Sequence, residues 1–478
     1  MIHRQGDQET VSFERPEGER PVTHFTAYDR LFGSSRGQDI FTENAHLAAM
    51  LRVEAALARA EATLGMIPAK AAETIISCCN IDGFDRAALA EGSASAGNLA
   101  IPLVKQLTSI VRALSAEAAG YVHWGATSQD VIDTATILQL REHLKLLGEL
   151  IDAVCVDLAE LTTKHRCTLM AGRTWLQHAV PITFGLKTAG WLDSFLRHRE
   201  RLAELKPRVL TLQFGGAAGT LASLGSKGPA VTAMLAKELQ LSLPSIPWHA
   251  NRDRFAEVAT FQGILVGTLG KIARDLSLSM QTEIGELAEA AAEGRGGSST
   301  MPHKKNPVTA AILLSASVRV PGLVSTMLSA MVQEHERGLG GWHAEWEALP
   351  EICALTSGAI ESFATMLPQL SVFPDAMRRN LDVTKGLVSS EAVSMALAAH
   401  TGRDVAHELV EEASRHAQQT NVSLRVALGE NPAIRSRLSE AELDAVVDPA
   451  NYLGAAGTMI DSVLAAYHSA FPSNRKER

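Results

Sequence analysis

Apolar residues recur at helical spacing through most of the chain, and the clearest run follows Asp133. Ile137, Leu140, Leu144, Leu147, Ile151, Val154, Leu158 and Leu161 step by alternating threes and fours, with polar side chains between them. That spacing predicts one long helix with a coiled-coil-like seam. No proline interrupts it and Gly148 lies off the seam. At about 1.5 Å per residue the rod is roughly 40 Å or longer. Earlier, Ala48 to Leu64 carries Met50, Leu51, Ala55, Leu57, Ala58 and Leu64 and stops at Gly65, a residue suited to a left-handed cap. Later helical stretches are read at 183–206, 254–289 and 308–332, with Pro321 placed to kink the last. Several long helices of matched length predict an all-α fold with a central bundle and shorter helices capping both ends. The expected division is a polar N-terminal arm (1–24), an N-terminal helical domain (25–135), the long-helix bundle (136–380) and a C-terminal helical domain (381–478). The arm, with Pro16, Gly18 and Pro21 among charged residues, is too polar to bury a core. Rods this long commonly bury a second face against copies of themselves, so a homo-oligomer of dihedral symmetry is expected.

Composition narrows the function. Over 478 residues the net charge is −9, with 46 % apolar and 5 % aromatic residues. An acidic balance offers no basic face to a phosphate backbone, so nucleic acid is not an expected partner. Five cysteines (Cys78, Cys79, Cys155, Cys167 and Cys353) form neither a CxxC nor a metal-ligand spacing. They read as free thiols of a reducing compartment. The N-terminus lacks an apolar signal stretch and no uninterrupted apolar run reaches about 18 residues, so a soluble, cytoplasmic protein without a membrane span is expected.

Four polar, small-residue-rich stretches are set between the helical patterns: Gly92 to Asn98, His123 to Asp130, Arg173 to Pro181, and Glu293 to Pro307. In the last, Gly294, Gly296 and Gly297 bracket Arg295 and are followed by Ser298, Ser299 and Thr300. Such a loop can bring its N–H groups close to an anion. Lys304 neutralises a carboxylate, Asn306 donates to it, and positive charge nearby favours an ionised serine. A flexible catalytic loop and an ordinary surface loop both fit that composition. Thr127, Ser128 and Gln129 precede the long helix, read as starting near Asp130. There they either bind a carboxylate at the helix N-terminus or merely cap it. His123 and His178 each fit a packed ring or an acid–base group. The glycine-rich Gly215-Gly216-Ala217-Ala218-Gly219 follows no strand pattern and lacks the Lys-Ser/Thr of a phosphate loop, so a nucleotide cradle is disfavoured.

Gly297-Ser298-Ser299-Thr300-Met301-Pro302-His303-Lys304-Lys305-Asn306-Pro307 resembles the GSSxMPxKxN signature of the fumarase/aspartase superfamily, and the resemblance runs from about Asp39 to Leu464. Within it the chain looks most like the bacterial branch of 3-carboxy-cis,cis-muconate cycloisomerases, on Tyr121–Asp130, Arg173–Gly185, Leu212–Thr220 and Glu334–Trp346. The resemblance implies three helical domains, a tetramer around a twenty-helix core, and active sites each shared among three subunits. It implies a small polycarboxylate substrate and no metal or organic cofactor. Ser298 would be the general base, or the acid in reverse, with Lys304 and Asn306 holding the carboxylate beside the reacting carbon. Thr127, Ser128 and Gln129 would bind another carboxylate. Asn98, Arg173, Trp175, Gln213, Ser299 and Met301 would line the substrate, and His178 and His123 are candidates for a second acid–base group. The implied reaction is lactonising addition within 3-carboxy-cis,cis-muconate, giving 4-carboxymuconolactone in protocatechuate catabolism. The alternative is a C–N lyase releasing an amine or nitrite from a substituted succinate. A tetramer with a dead site is disfavoured, because the signature serine and lysine are both present.

Three departures from relatives are present, and the first two bear on that choice. Where adenylosuccinate lyase carries a histidine after Arg-Thr, this chain has Trp175. Closing a ring with an internal carboxylate leaves no amine to protonate, so losing that acid is chemically sensible. Trp346 replaces an arginine of the purine enzyme, which speaks against AMP. Lys305 stands where relatives often have arginine.

Overall fold

The computed structural model describes residue 28 and residues 31–290, 296–297, 300–301 and 303–472. The polar arm 1–24 lies outside the described residues. Numbering the longer helices in chain order, α1 is Glu43–Thr63, α2 Ala69–Cys78, α3 Arg86–Ala96, α4 Ala100–Leu114 and α5 Ser128–Lys164. After a hairpin of β1 (Leu169–Thr174) and β2 (Gln177–Thr183) come α6 (Phe184–Val209), α7 (Gly228–Leu239) and α8 (Asp253–Ser279). Strand β3 (Leu287–Ala288) precedes α9 (Val308–Ser329) and α10 (Gly341–Met366), and pairs with β4 (Ser371–Val372).

The heptad seam is the inner face of α5: Ile137, Leu140, Leu144, Leu147, Ile151, Val154 and Leu158 are fully buried. Burying each such side chain is worth about 1.5–3 kcal/mol. Helix α5 has 37 residues, which makes it about 55 Å long. It packs along α6, with α8, α9 and α10 completing the bundle. The rod begins two residues earlier than the sequence reading, because the Thr127 N–H donates to Asp130 Oδ2 (3.0 Å) and draws Ser128 into the first turn. The helix read over 254–289 stops at Ser279. Gly285, at φ 58°, turns the chain, and Leu287–Ala288 pairs as a strand.

The stretch Arg173–Pro181 is not a loop leading to a helix but the tip and return strand of an antiparallel hairpin, with Thr174 paired to Gln177. Its two-residue turn is Trp175-Leu176, at φ 52° and 63°. A two-residue hairpin turn of this kind has positive φ at both central residues, a role that ordinarily falls to Asn-Gly. Gly172 forms the irregularity in β1; a Cβ there would lie 2.6 Å from the Val180 carbonyl oxygen.

The order of contacts fixes the direction of each rod. Arg252, just before α8, and Trp342, at the start of α10, both bond Asp133 near the start of α5. Helix α9 starts at the other end, beside β3, where Glu289 accepts from the N–H groups of Thr309 (2.9 Å) and Ala310 (3.1 Å). Beyond residue 386 a separate apolar cluster includes Val393, Leu397, Val410, Leu428 and Leu443, and the last helix, Ala456–Ala470, returns to pack on α6. Helix α9 has the length and mean hydropathy (1.6) of a membrane span, although Arg319 interrupts its apolar run. Core helices of water-soluble bundles share that property, and α9 packs against α8 and α10.

Candidate functional site

The described residues among those singled out by sequence gather at the two ends of α5. At its start, Asp130 is a buried carboxylate facing five donors. Its Oδ1 lies 2.9 Å from Gly215 N, 2.7 Å from His249 Nε2 and 3.3 Å from Gln213 Nε2, and its Oδ2 accepts from Thr127 N (3.0 Å) and Gly216 N (2.9 Å). Gly216, at φ 68°, turns its amide toward the carboxylate. The glycine-rich segment is thus a cradle, and its occupant is the chain's own aspartate. Gln213 has both ends of its amide engaged, since Oε1 also accepts from Trp248 N (2.7 Å). Gln129 donates to Asp133 Oδ2 (3.0 Å) and to the His249 carbonyl (2.9 Å), while its buried Oε1 has no partner among the described residues. Behind it, Arg252 lies between Asp133 (2.6 Å) and Glu345 (2.5 Å), all three nearly inaccessible. Burial pushes the Glu345 carboxyl up to about 6, against the pull of Arg252.

The outer side of this end is less enclosed. Arg337 donates to Thr127 Oγ1 (3.1 Å) and to the Ala217 carbonyl (2.8 Å), and it pairs with no carboxylate among the described residues. A half-buried cation with only neutral acceptors, beside a helix N-terminus, suits a carboxylate ligand. Ser128, half-buried, opens the helix. His123, at φ 58°, places Nδ1 2.6 Å from Glu54 Oε1 of α1. Asn98 Oδ1 accepts from Ile101 N (3.2 Å), so it caps α4. Arg337, Asp130 and Glu54 were not singled out from sequence. Arg337 sits in a quoted segment, but nothing in its spacing pointed to Thr127.

At the far end, Arg173 forms a fork with Glu286 (2.9 and 2.7 Å), which also accepts from Asn380 Nδ2 (2.7 Å). His178 follows on β2, with a buried Nδ1 that has no partner among the described residues. Burial, and then the charge of Arg173, hold His178 below the usual histidine value, which favours its neutral form. Trp175, at the hairpin tip, is 98 % exposed. Asn306 N donates to the Gly296 carbonyl (2.8 Å) and Gly297 bridges Lys305, so the signature loop has a pinned neck. Lys304 and Met301 are exposed and Asn306 is half-buried. Ser298 and Ser299 lie outside the described residues. Among the described residues no three His, Cys, Asp or Glu side chains converge as a metal site would need. The two groups stand roughly 50 Å apart along α5, so one chain does not bring them together.

Residues 32–322 match the family described as Lyase, and 386–463 the family described as Adenylosuccinate lyase C-terminus. A 3-carboxy-cis,cis-muconate cycloisomerase from Pseudomonas aeruginosa is 52 % identical over 92 % of this chain and 96 % of its own. The chain belongs to the fumarase/aspartase superfamily of lyases. Among solved structures of that superfamily, the 3-carboxy-cis,cis-muconate lactonizing enzyme from Pseudomonas putida superposes with a TM-score of 0.89 at 48 % identity, covering 93 % of this chain and 99 % of that one. A nitrosuccinate lyase from Streptomyces davaonensis is 40 % identical over 91 % of this chain and 94 % of its own. The superfamily's helical architecture accounts for the long bundle described above.

Proposed function

We propose that the protein is a cytoplasmic cycloisomerase that closes 3-carboxy-cis,cis-muconate to 4-carboxymuconolactone in protocatechuate catabolism. The observation that carries this reading is the 52 % identity to a cycloisomerase over 92 % of the chain. Ser298 moves the proton at the carbon next to a carboxylate. Lys304 and Asn306 hold that carboxylate as its charge builds up, and a donor of this kind contributes ~10²–10³ in rate. Thr127, Ser128 and Arg337 hold a second carboxylate. The site is assembled in a homotetramer from three copies. In support, the two half-sites of one chain stand far apart, and apolar side chains at the hairpin tip and on the bundle's outer face are exposed: Trp175, Leu176, Ile264 and Val318.

The test is an ultraviolet assay of the purified protein with 3-carboxy-cis,cis-muconate, following loss of the conjugated diene. Rapid loss with lactone formation is expected. Ser298→Ala is expected to lower turnover at least ~100-fold with the fold intact, and retained activity would remove Ser298 as the base. A C–N lyase is the second reading, favoured by the likeness to a nitrosuccinate lyase. A neutral His178 is a poor proton donor for a leaving amine, which weighs against amine release. Fumarate release from nitrosuccinate or amino-substituted succinates, without muconate turnover, would establish this reading instead.

A further inference from the structure

Glu54 is a buried carboxylate on α1, 1 % exposed, and its Oε2 has no hydrogen-bond partner among the described residues. The His123 ring, 2.6 Å away on Oε1, is the one hydrogen-bonding group the described residues offer it. A buried carboxylate with so little support is costly unless its partner carries the opposite charge. The ring is held from the backbone as well, because His123 adopts a left-handed φ of 58° that side chains rarely take. With Nδ1 committed to Glu54, Nε2 makes no hydrogen bond to a described residue, and the ring keeps 17 % exposure, four residues before Thr127.

We propose that Glu54 is a positioning residue, which fixes the proton on His123 Nδ1 and presents the Nε2–H to a carboxylate of the substrate beside Thr127. The proposal rests on the polycarboxylate reading above and extends it to a residue on α1. The surroundings agree. Burial opposes charge on His123, but Glu54, by charge and hydrogen bond, and Asp130 on α5 outweigh it and hold the ring above the usual histidine value. Two further titratable groups lie close to Glu54. Glu61, one heptad along α1, is pushed up to about 8 by burial and by Glu54, and stays protonated. Cys79, at the end of α2, is pushed up to about 12 by burial, with Glu54 and Cys78 adding to the effect, and stays a thiol.

The experiment compares the full-length wild type with E54Q, H123Q and the double variant. Cε1 hydrogen–deuterium exchange read by mass spectrometry follows His123 titration, and steady-state kinetics on 3-carboxy-cis,cis-muconate follow function. E54Q is expected to move the His123 midpoint down toward the ordinary histidine range. KM is expected to rise about tenfold, with kcat changed less. H123Q is expected to raise KM equally, and adding E54Q to it to change nothing further. E54D, which keeps the charge on a shorter arm, is expected to fall between, and it serves if E54Q does not fold. An unchanged His123 midpoint, or additive effects in the double variant, would overturn the proposal. If the wild type leaves the muconate untouched, the functional reading falls, while the exchange midpoint still reports on Glu54 alone.

Discussion

The two ends of α5 use the same ingredients, arginine against carboxylate, in opposite states of enclosure. At the start of the rod Arg252 is 1 % exposed between Asp133 and Glu345. At the far end Arg173 is 22 % exposed against a fully buried Glu286. The first network is closed within the chain, with Trp342 Nε1 and Gln129 Nε2 completing the contacts of Asp133. The second is half-open and lies next to the exposed Trp175-Leu176 tip of the same hairpin. Enclosure thus separates an ion-pair network satisfied inside the bundle from one that is partly open to its surroundings.

The sharpest way to break this comparison is Arg252→Met, which leaves Asp133 and Glu345 buried without a cation. It is expected to cost about 3–5 kcal/mol in denaturant unfolding, and a loss under about 1 kcal/mol would refute the structural role. Glu61→Gln comes next. The folded carboxyl titrates at about 8 against a usual 4.5, so the folded state keeps a proton that the unfolded chain loses as pH rises between those values. Wild-type stability should therefore fall over that window, by roughly 3 kcal/mol at pH 7, and the slope should flatten in Glu61→Gln. A variant that keeps the wild-type slope would exclude Glu61 as its source. Arg173→Met, at the half-open end, is expected to cost only about 1–3 kcal/mol while turnover falls further than stability. Equal losses would make it a second structural pair. The smallest expected stability effect has the opposite sign. Placing Asn at 175 and Gly at 176 suits the positive φ values of the turn and should stabilise the chain by roughly 0.5–1 kcal/mol. Light scattering and turnover should nevertheless show weaker assembly and activity if the tip docks on another copy.

The bundle was legible because eight seam positions repeat without interruption, and all but the last, the half-buried Leu161, are fully buried. The hairpin was not, because Trp175-Leu176 carries none of the turn chemistry that marks one and its strands lack clean alternation. Of the candidate site, the signature around Lys304 and Asn306 stood out as a local string. The cradle of Asp130 did not, since its amides arrive from Gly215 and Gly216, 85 and 86 positions away. Glu54 and His123 are likewise 69 positions apart, and only packing of α1 beside α5 joins them.

The ties at both ends of the rod also make α5 a ruler. Asp133 is joined to Arg252 and Trp342 at one end, and the hairpin that follows α5 is joined to Glu286 at the other. Removing one heptad from α5 alone would preserve its apolar face but shorten it by about 10 Å, leaving one of those ties out of reach. Helices α6, α8, α9 and α10 would have to shorten in the same step. A change of length is therefore accommodated more easily in the connections than in any one rod, and the distance between the two ends of α5 is set by the whole bundle together.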